Sequence, residues 1–529
     1  MTIDLSLPKI TTSRRALLGA ASVGAAGVLI PALAQPAAAT MTKASHLAYK
    51  PAVYPQTLAP SEATRHLLSR FSSGVTPDLV ATAKSAGGAH AWFGKQLTPN
   101  AIDDSYADSL YGWFPHLDLS AKQLWSLSQS GTVLGWQFMQ NVVAWTMLRR
   151  LYSNRQVLES MVDFWANLLH IPFFAGPSYL FRVDYVNMLR QKAFGRYDDL
   201  LYSAVTHPAM GVYLDNAVSS AGNLNENLGR EVLECHSVGL PYTEDDVYNS
   251  SLILTGWHVD EKTWDVSYVI SDHASGPVQV MGFQDANKNP DGRALTGRYL
   301  KYLAHHPHTA QKICTRLAVR FVSDTPSQAL IDQLANVYLA SNTAILPVLR
   351  TLVNSAEFKA SVDLKVRTPV EDAIASWAVL QVGVSRPTKD TDGANQFENV
   401  SMGIGQTVFD WARPDGFPDT ADAWTGAARM LGSFRAHWMA SGSFWPFTGI
   451  TFQPVSHWVP QMPIRFDLLV DYLSQTLLAR PSTSTLLQAA CLATDCTAIT
   501  QITPTHPLIK FGLPRLLVCL LDSPAHLTR

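Results

Sequence analysis

Cysteine is scarce in this chain, with five in 529 residues: Cys235, Cys314, Cys491, Cys496 and Cys519. An odd and low count excludes the disulfide framework that staples small secreted domains. Cys491-Leu-Ala-Thr-Asp-Cys496 either closes a small loop in an oxidising compartment or puts two thiols on one helix. Its spacing suits neither a zinc ribbon nor a thioredoxin-type pair. Charge is scarce too, at 16% of residues with a formal net charge of -2. No basic patch stands out, which argues against nucleic acid or an anionic membrane surface as a partner. Also missing are a glycine-rich phosphate loop, a paired-histidine zinc-protease helix, a Gly-x-Ser-x-Gly nucleophile elbow and a Cys-x-x-Cys-His haem attachment.

The most informative local feature is the twin arginine Arg14-Arg15 in Thr12-Ser-Arg-Arg-Ala-Leu-Leu18. An Ala/Gly-rich apolar stretch follows from Gly19 to Ala34, closed by Ala37-Ala38-Ala39. A basic entry, a short apolar core and a small-residue cleavage site form the pattern of a twin-arginine export signal. The run is too short and too diluted by Ala and Gly for the ~20 apolar residues of a spanning helix. The expectation is therefore recognition by the twin-arginine export machinery, cleavage near Ala39–Thr40, and a periplasmic, cell-wall or extracellular product without a membrane span. About 490 residues would remain, enough for two or three packed lobes. The leader carries Lys9, Arg14 and Arg15 against Asp4, so the mature net charge would fall near -4.

Residues 40–60 read as a flexible mature N-terminus. From Ser61 the spacing is helical almost throughout, so the fold expected over 61–529 is mainly α, a multi-helical globular body. Helices are predicted at 148–169, 189–205, 225–238, 243–254, 300–321, 326–340, 345–355 and 369–380, several of them stopped by Gly or Pro. The exception is 258–283, where apolar and polar residues alternate as in a short β-hairpin or irregular excursion. The polar stretch 384–398 is a candidate boundary between two lobes.

The densest polar cluster is Asn225-Glu-Asn-Leu-Gly-Arg-Glu-Val-Leu-Glu-Cys-His236. On a helix, Glu226 and Arg230 stand at i and i+4, an exposed ion pair. Asn227, Glu231 and Glu234 share one face, and two carboxylates so placed share a proton, bind a cation or each meet an arginine. His236 falls on another face unless the helix frays before Gly239. Thr243 is a plausible N-cap with Glu244, Asp245 and Asp246 in the first turn, which explains that acidic run structurally. Asp272-His273 reads as an acid/base pair or as a surface turn. In His305-His-Pro-His308, Pro307 splits the tract between a helix end and a helix start. Trp257, Trp411 and Trp424 lie near Gly and Pro turns, where aromatics pack or build sugar-stacking clefts.

These motifs carry a resemblance. The chain resembles a bacterial family of exported proteins catalogued as domain of unknown function 1800, from Arg65-His-Leu-Leu68 to Leu521-Asp-Ser-Pro524. The matching residues include Phe164-Trp165 with Asn167, Arg190 through Gly195, His207-Pro-Ala-Met210, Tyr213-Leu-Asp-Asn216 and Asn225-Glu-Asn227. They continue through Arg230-Glu231, Glu234, His236, Gly239, Tyr242-Thr-Glu-Asp-Asp-Val247 and Thr255-Gly-Trp257. His306-Pro307, Arg320-Phe-Val322, Pro369-Val-Glu371, Gly405-Gln406, Pro414-Asp-Gly416 and Trp424 complete the set. The resemblance implies an exported, mostly helical protein of a kind often encoded beside a second exported family with a phosphatase-like fold, which would be its partner. It implies no reaction. Two departures stand out: histidines that the family carries around Phe-Trp are Ala166 and Leu168 here, with His170 displaced, and its loop His-Asp is His273-Ala274 here.

The leading functional expectation is a hydrolase-type enzyme using paired carboxylates on an extracytoplasmic substrate, with a glycan as the substrate class. Glu231 or Glu234 would be the general base or a ligand, with His236 or His273 as auxiliary acid/base. Arg190, Asn225, Glu226, Asn227, Arg230 and Trp257 would hold the substrate. The alternatives are a metal- or cofactor-containing redox protein, and a non-enzymatic exported scaffold acting with a partner encoded nearby.

Overall fold

Helices begin where the sequence supplies a side-chain cap. Ser61 caps the Glu62–Arg70 helix by accepting from Thr64 N. Thr243 caps Glu244–Ile253 in a reciprocal box with Asp246, and Thr368 does the same with Glu371 at Pro369–Val379. Each box satisfies two backbone donors that a helix start otherwise leaves bare. The computed structural model describes residues 59–444 and 447–529. The expected leader 1–39 and most of the 40–60 segment lie outside the described residues.

The described chain is mainly α, with only short antiparallel strand pairs. The alternating segment forms two hairpins: Trp257–Val259 pairs with Val266–Tyr268, and Val278–Val280 with Phe283–Asp285. Two further pairs join Gly383–Val384 to Ile450–Thr451 and Ile464–Arg465 to Gln501–Ile502. The polar stretch 384–398 enters the first of these pairs. It is also tied to the Gly135–Tyr152 helix, where Asn141 Nδ2 donates to Asn395 Oδ1 at 2.8 Å. The described residues from 59 onward cluster as one unit by contacts. No helix among the described residues is long and apolar enough to cross a membrane.

Four predicted runs are broken, one of them at the Pro307 that the histidine tract already marks as a helix start. The 148–169 run splits into Gly135–Tyr152 and Gln156–Leu168. At the break, the Asp104 carboxylate accepts from Ser153 Oγ at 2.8 Å and from Asn154 N at 2.6 Å. The 189–205 run splits into Arg182–Lys192 and Tyr197–Val205. There Tyr197 N donates to Thr343 O, and Gly195 O accepts from Ile345 N. The 300–321 run breaks at His306-Pro307, where proline removes a donor and His306 caps the new helix. The 225–238 run is one α turn, Asn227–Glu231, followed by a π turn, Val232–His236. It ends at Gly239, whose positive φ of 85° closes the chain back onto Leu233 O.

One apolar core runs through the described body. Its aromatic anchors stack: Trp377 on Phe397 with centroids 4.0 Å apart, and Phe71 on Phe321 at 4.6 Å. The C-terminus is clamped inside it. Arg529 pairs its backbone with Lys365, sends one guanidinium N–H to Arg70 O at 3.1 Å, and meets Glu371 at 3.0 Å.

Candidate functional site

Residues 225–273 use most of their polar groups on one another. Glu231 is 2% exposed and accepts from the Cys235 thiol at 3.1 Å. Burial, reinforced by Glu231, pushes the Cys235 thiol pKa up. Glu234 accepts from Tyr242 Oη at 2.5 Å, and the Lys312 ammonium donates to its carbonyl. Burial brings that lysine down to about 8. His236 is fully buried, its pKa lowered to about 3 by burial, while its carbonyl accepts from Tyr197 Oη. Arg230 reaches past Glu226, at 3.9 Å, to a two-point pair with Glu244 at 2.7 and 3.2 Å. Asn225 Oδ1 accepts from Asn227 N at 2.9 Å, a local turn. Trp257 packs edge-on against Tyr268 with centroids 5.1 Å apart.

Asp272 and His273 part company. His273 is buried, 3.0 Å from Asn287 Oδ1 and 3.3 Å from Thr255 Oγ1. Asp272 turns instead towards His258 Nε2, at 3.0 Å. Arg190 lies in another interior network. It meets both oxygens of Glu159, at 3.0 and 3.1 Å, and lies over the Trp145 ring at 5.0 Å. Burial alone would raise the Glu159 pKa, but Arg190 and Arg149 outweigh it and hold it at about 2. All five cysteines are free thiols, Cys491 and Cys496 included.

A different place gathers charge around a cavity. The Gln156–Leu168 helix carries Asp163, Phe164 and Asn167 to its C-terminal end. The Asn167 amide clamps the loop that follows Pro414: it donates to Phe417 O at 2.9 Å and accepts from Phe417 N at 2.7 Å. This clamp requires glycine at 416, where φ is +73° and a Cβ would lie 2.0 Å from the Asn167 carbonyl oxygen. His170 Nε2 lies 2.8 Å from Trp411 O and pins the other end of that loop, its pKa pushed down to about 4 by burial.

Arg320, near the end of the Pro307–Phe321 helix, is the hub. Its guanidinium meets Asp163 at 2.5 Å, Glu371 at 2.8 Å and Asp419 at 3.0 Å. Burial alone would lower its pKa, but the three carboxylates outweigh burial and raise it. Arg150 adds a second guanidinium 2.8 Å from Asp163. Beside them lies a cavity of about 40 Å³ lined by Asp163, Asn167, His170, Arg320, Phe417 and Asp419. That is room for one or two waters or one small polar group. Asp163 is 27% exposed, whereas Asp419 is 4% exposed.

A second polar centre is closed off from solvent. Asp372 Oδ1 lies 3.0 Å from His437 Nε2 and 3.3 Å from His526 Nε2. His437 Nδ1 lies 2.7 Å from Asp522 Oδ1. Ser433 Oγ donates to Asp372 Oδ2 at 2.6 Å. Burial pulls against charge on His437, but Asp372 and then Asp522 raise its pKa to about 9. His526 is lowered to about 4 by burial.

Neither centre was picked out from local spacing, because its residues come from segments far apart in the chain. The signal for the first was present in the resemblance. Phe164, Asn167, Arg320, Glu371, Gln406, Gly416 and Trp424 all belong to the matching stretches, and they converge here. No curated protein and no solved structure matches the chain. A family model does, over residues 66–528, almost the whole described body. The chain belongs to the family described as "Protein of unknown function (DUF1800)".

Proposed function

We propose that the protein is exported by the twin-arginine route and acts as a hydrolase on an extracytoplasmic substrate of polyhydroxylated or anionic character. The observation that carries this reading is the water-sized cavity beside Asp163, walled by Arg320, Asn167, His170 and Asp419. Its volume admits the attacking water, so the substrate lies outside on the surface.

In this reading Asp163 is the general base, because solvent reaches it and its partner Arg320 is fixed from the other side by Glu371 and Asp419. It takes a proton from the cavity water as the water oxygen attacks, and returns it to the leaving oxygen as the bond breaks. Arg320 and Arg150 stabilise the negative charge that develops. Phe417 supplies an apolar wall for a sugar face. Glu231, Glu234 and His236, with Arg190 and Arg230, are assigned to support the fold.

The test is turnover by the purified exported protein on a panel of glycosides, esters and phosphoesters. Asp163→Asn should lower kcat by about 100-fold or more, while the Glu231→Gln, Glu234→Gln double variant stays within a few-fold. The reverse ranking would return the site to residues 225–239. A folded protein that turns over nothing, yet binds an exported protein of phosphatase-like fold, would favour the scaffold reading.

A further inference from the structure

We propose that Asp372, His437 and His526 form a binding site for one divalent transition-metal cation of the zinc class. The site is independent of the Asp163 cleft, although Asp372 follows directly on Glu371 along the Pro369–Val379 helix. Glu371 faces the Arg320 hub, and Asp372 faces the two imidazoles.

The donor set is the first reason. Two imidazole nitrogens and one carboxylate oxygen are ligands that zinc takes, and these atoms all lie within 4.8 Å of one another. The spacing is the second. Ligand atoms about 2.1 Å from a tetrahedral ion stand roughly 3.3–3.5 Å from each other. Asp372 Oδ1 stands 3.0 Å from His437 Nε2 and 3.3 Å from His526 Nε2, so little movement would seat an ion.

The outer partners are the third reason. A metal-bound imidazole donates its other N–H to a carboxylate or carbonyl, which sets the tautomer and the ring orientation. His437 Nδ1 faces Asp522 Oδ1 at 2.7 Å in that arrangement. The second oxygen of the ligating carboxylate accepts from Ser433 Oγ at 2.6 Å and has Arg429 at 3.5 Å. Ser376 Oγ stands 3.0 Å from His526 Nε2, beside the three ligands.

The experiment uses the full mature chain, stripped with chelator, then titrated with Zn²⁺ by calorimetry and with Co²⁺ by visible absorption. The expected result is one ion per chain with a sub-micromolar Kd, four-coordinate Co²⁺ bands and a raised Tm. His526→Ala should abolish this binding. Asp522→Asn, which leaves all three ligands in place, should weaken it about 10–100-fold. Folded wild-type protein that binds neither ion overturns the proposal. So does binding that survives in folded His526→Ala. Binding that disappears in the His306→Ala, His308→Ala double variant instead assigns the ion to those surface rings, 5.1 Å apart, and also overturns it.

Discussion

Two regions of this molecule are rich in carboxylates and arginines, and they differ in how they were assembled. Residues 226–246 place Glu226, Arg230, Glu231, Glu234 and Glu244 close together in sequence, and these pair locally or on the surface. The Arg320 hub draws Asp163, Glu371 and Asp419 from three separate segments and leaves a cavity beside them. Groups that are neighbours along a helix can satisfy each other without help from the rest of the fold. Groups brought together by tertiary packing meet across a gap, and the gap is where a ligand fits.

The largest expected break in this comparison is Arg320→Ala. It leaves three carboxylates facing one another with little solvent, which should cost about 3–5 kcal/mol by denaturant unfolding. A cost below about 1 kcal/mol would show that the hub is not the organising charge of the cleft. Gly416→Ala comes next. It forces a Cβ into the Asn167 carbonyl at positive φ, and about 2–3 kcal/mol of stability should go, together with any activity of the cleft.

Acid sharpens the contrast through Arg190. The Glu159 pKa is held at about 2, below its unfolded value of about 4.3. Its stabilisation is therefore complete above that unfolded value and is lost as pH falls from about 5 towards 2. The slope corresponds to about 3 kcal/mol in all, within a factor of two. Arg190→Ala should flatten that part of the pH–stability curve, and an unchanged acid limb would contradict it. The smallest effect belongs to Arg230→Ala. Its partner Glu244 is 78% exposed, so the loss should stay within about 1 kcal/mol and shrink further in high salt.

Much of the fold was legible. Ser61 and Thr243 cap helices as their spacing predicts, and the alternation over 258–283 becomes hairpins. Pro307 divides the histidine tract and leaves His306 as a cap. The break at Ser153 was not legible, because the carboxylate that holds it belongs to Asp104, 49 residues earlier. The same limit applies to the candidate sites. Asp272 and His273 are adjacent in sequence, yet one meets His258 and the other Asn287.

What the sequence determined by itself was local: the helical class, a few helix starts such as Ser61 and Thr243, the hairpins and the family. Those follow from caps, periodicity and motif order, which act over a few residues or are read in a line. Tertiary structure alone decided which charged groups are used up and which surround open space. Arg190 was bound to Glu159, Arg320 was set among three acids, and Asp372 was joined to two histidines from beyond residue 430. The physical reason is that a buried charge must find a partner wherever packing provides one.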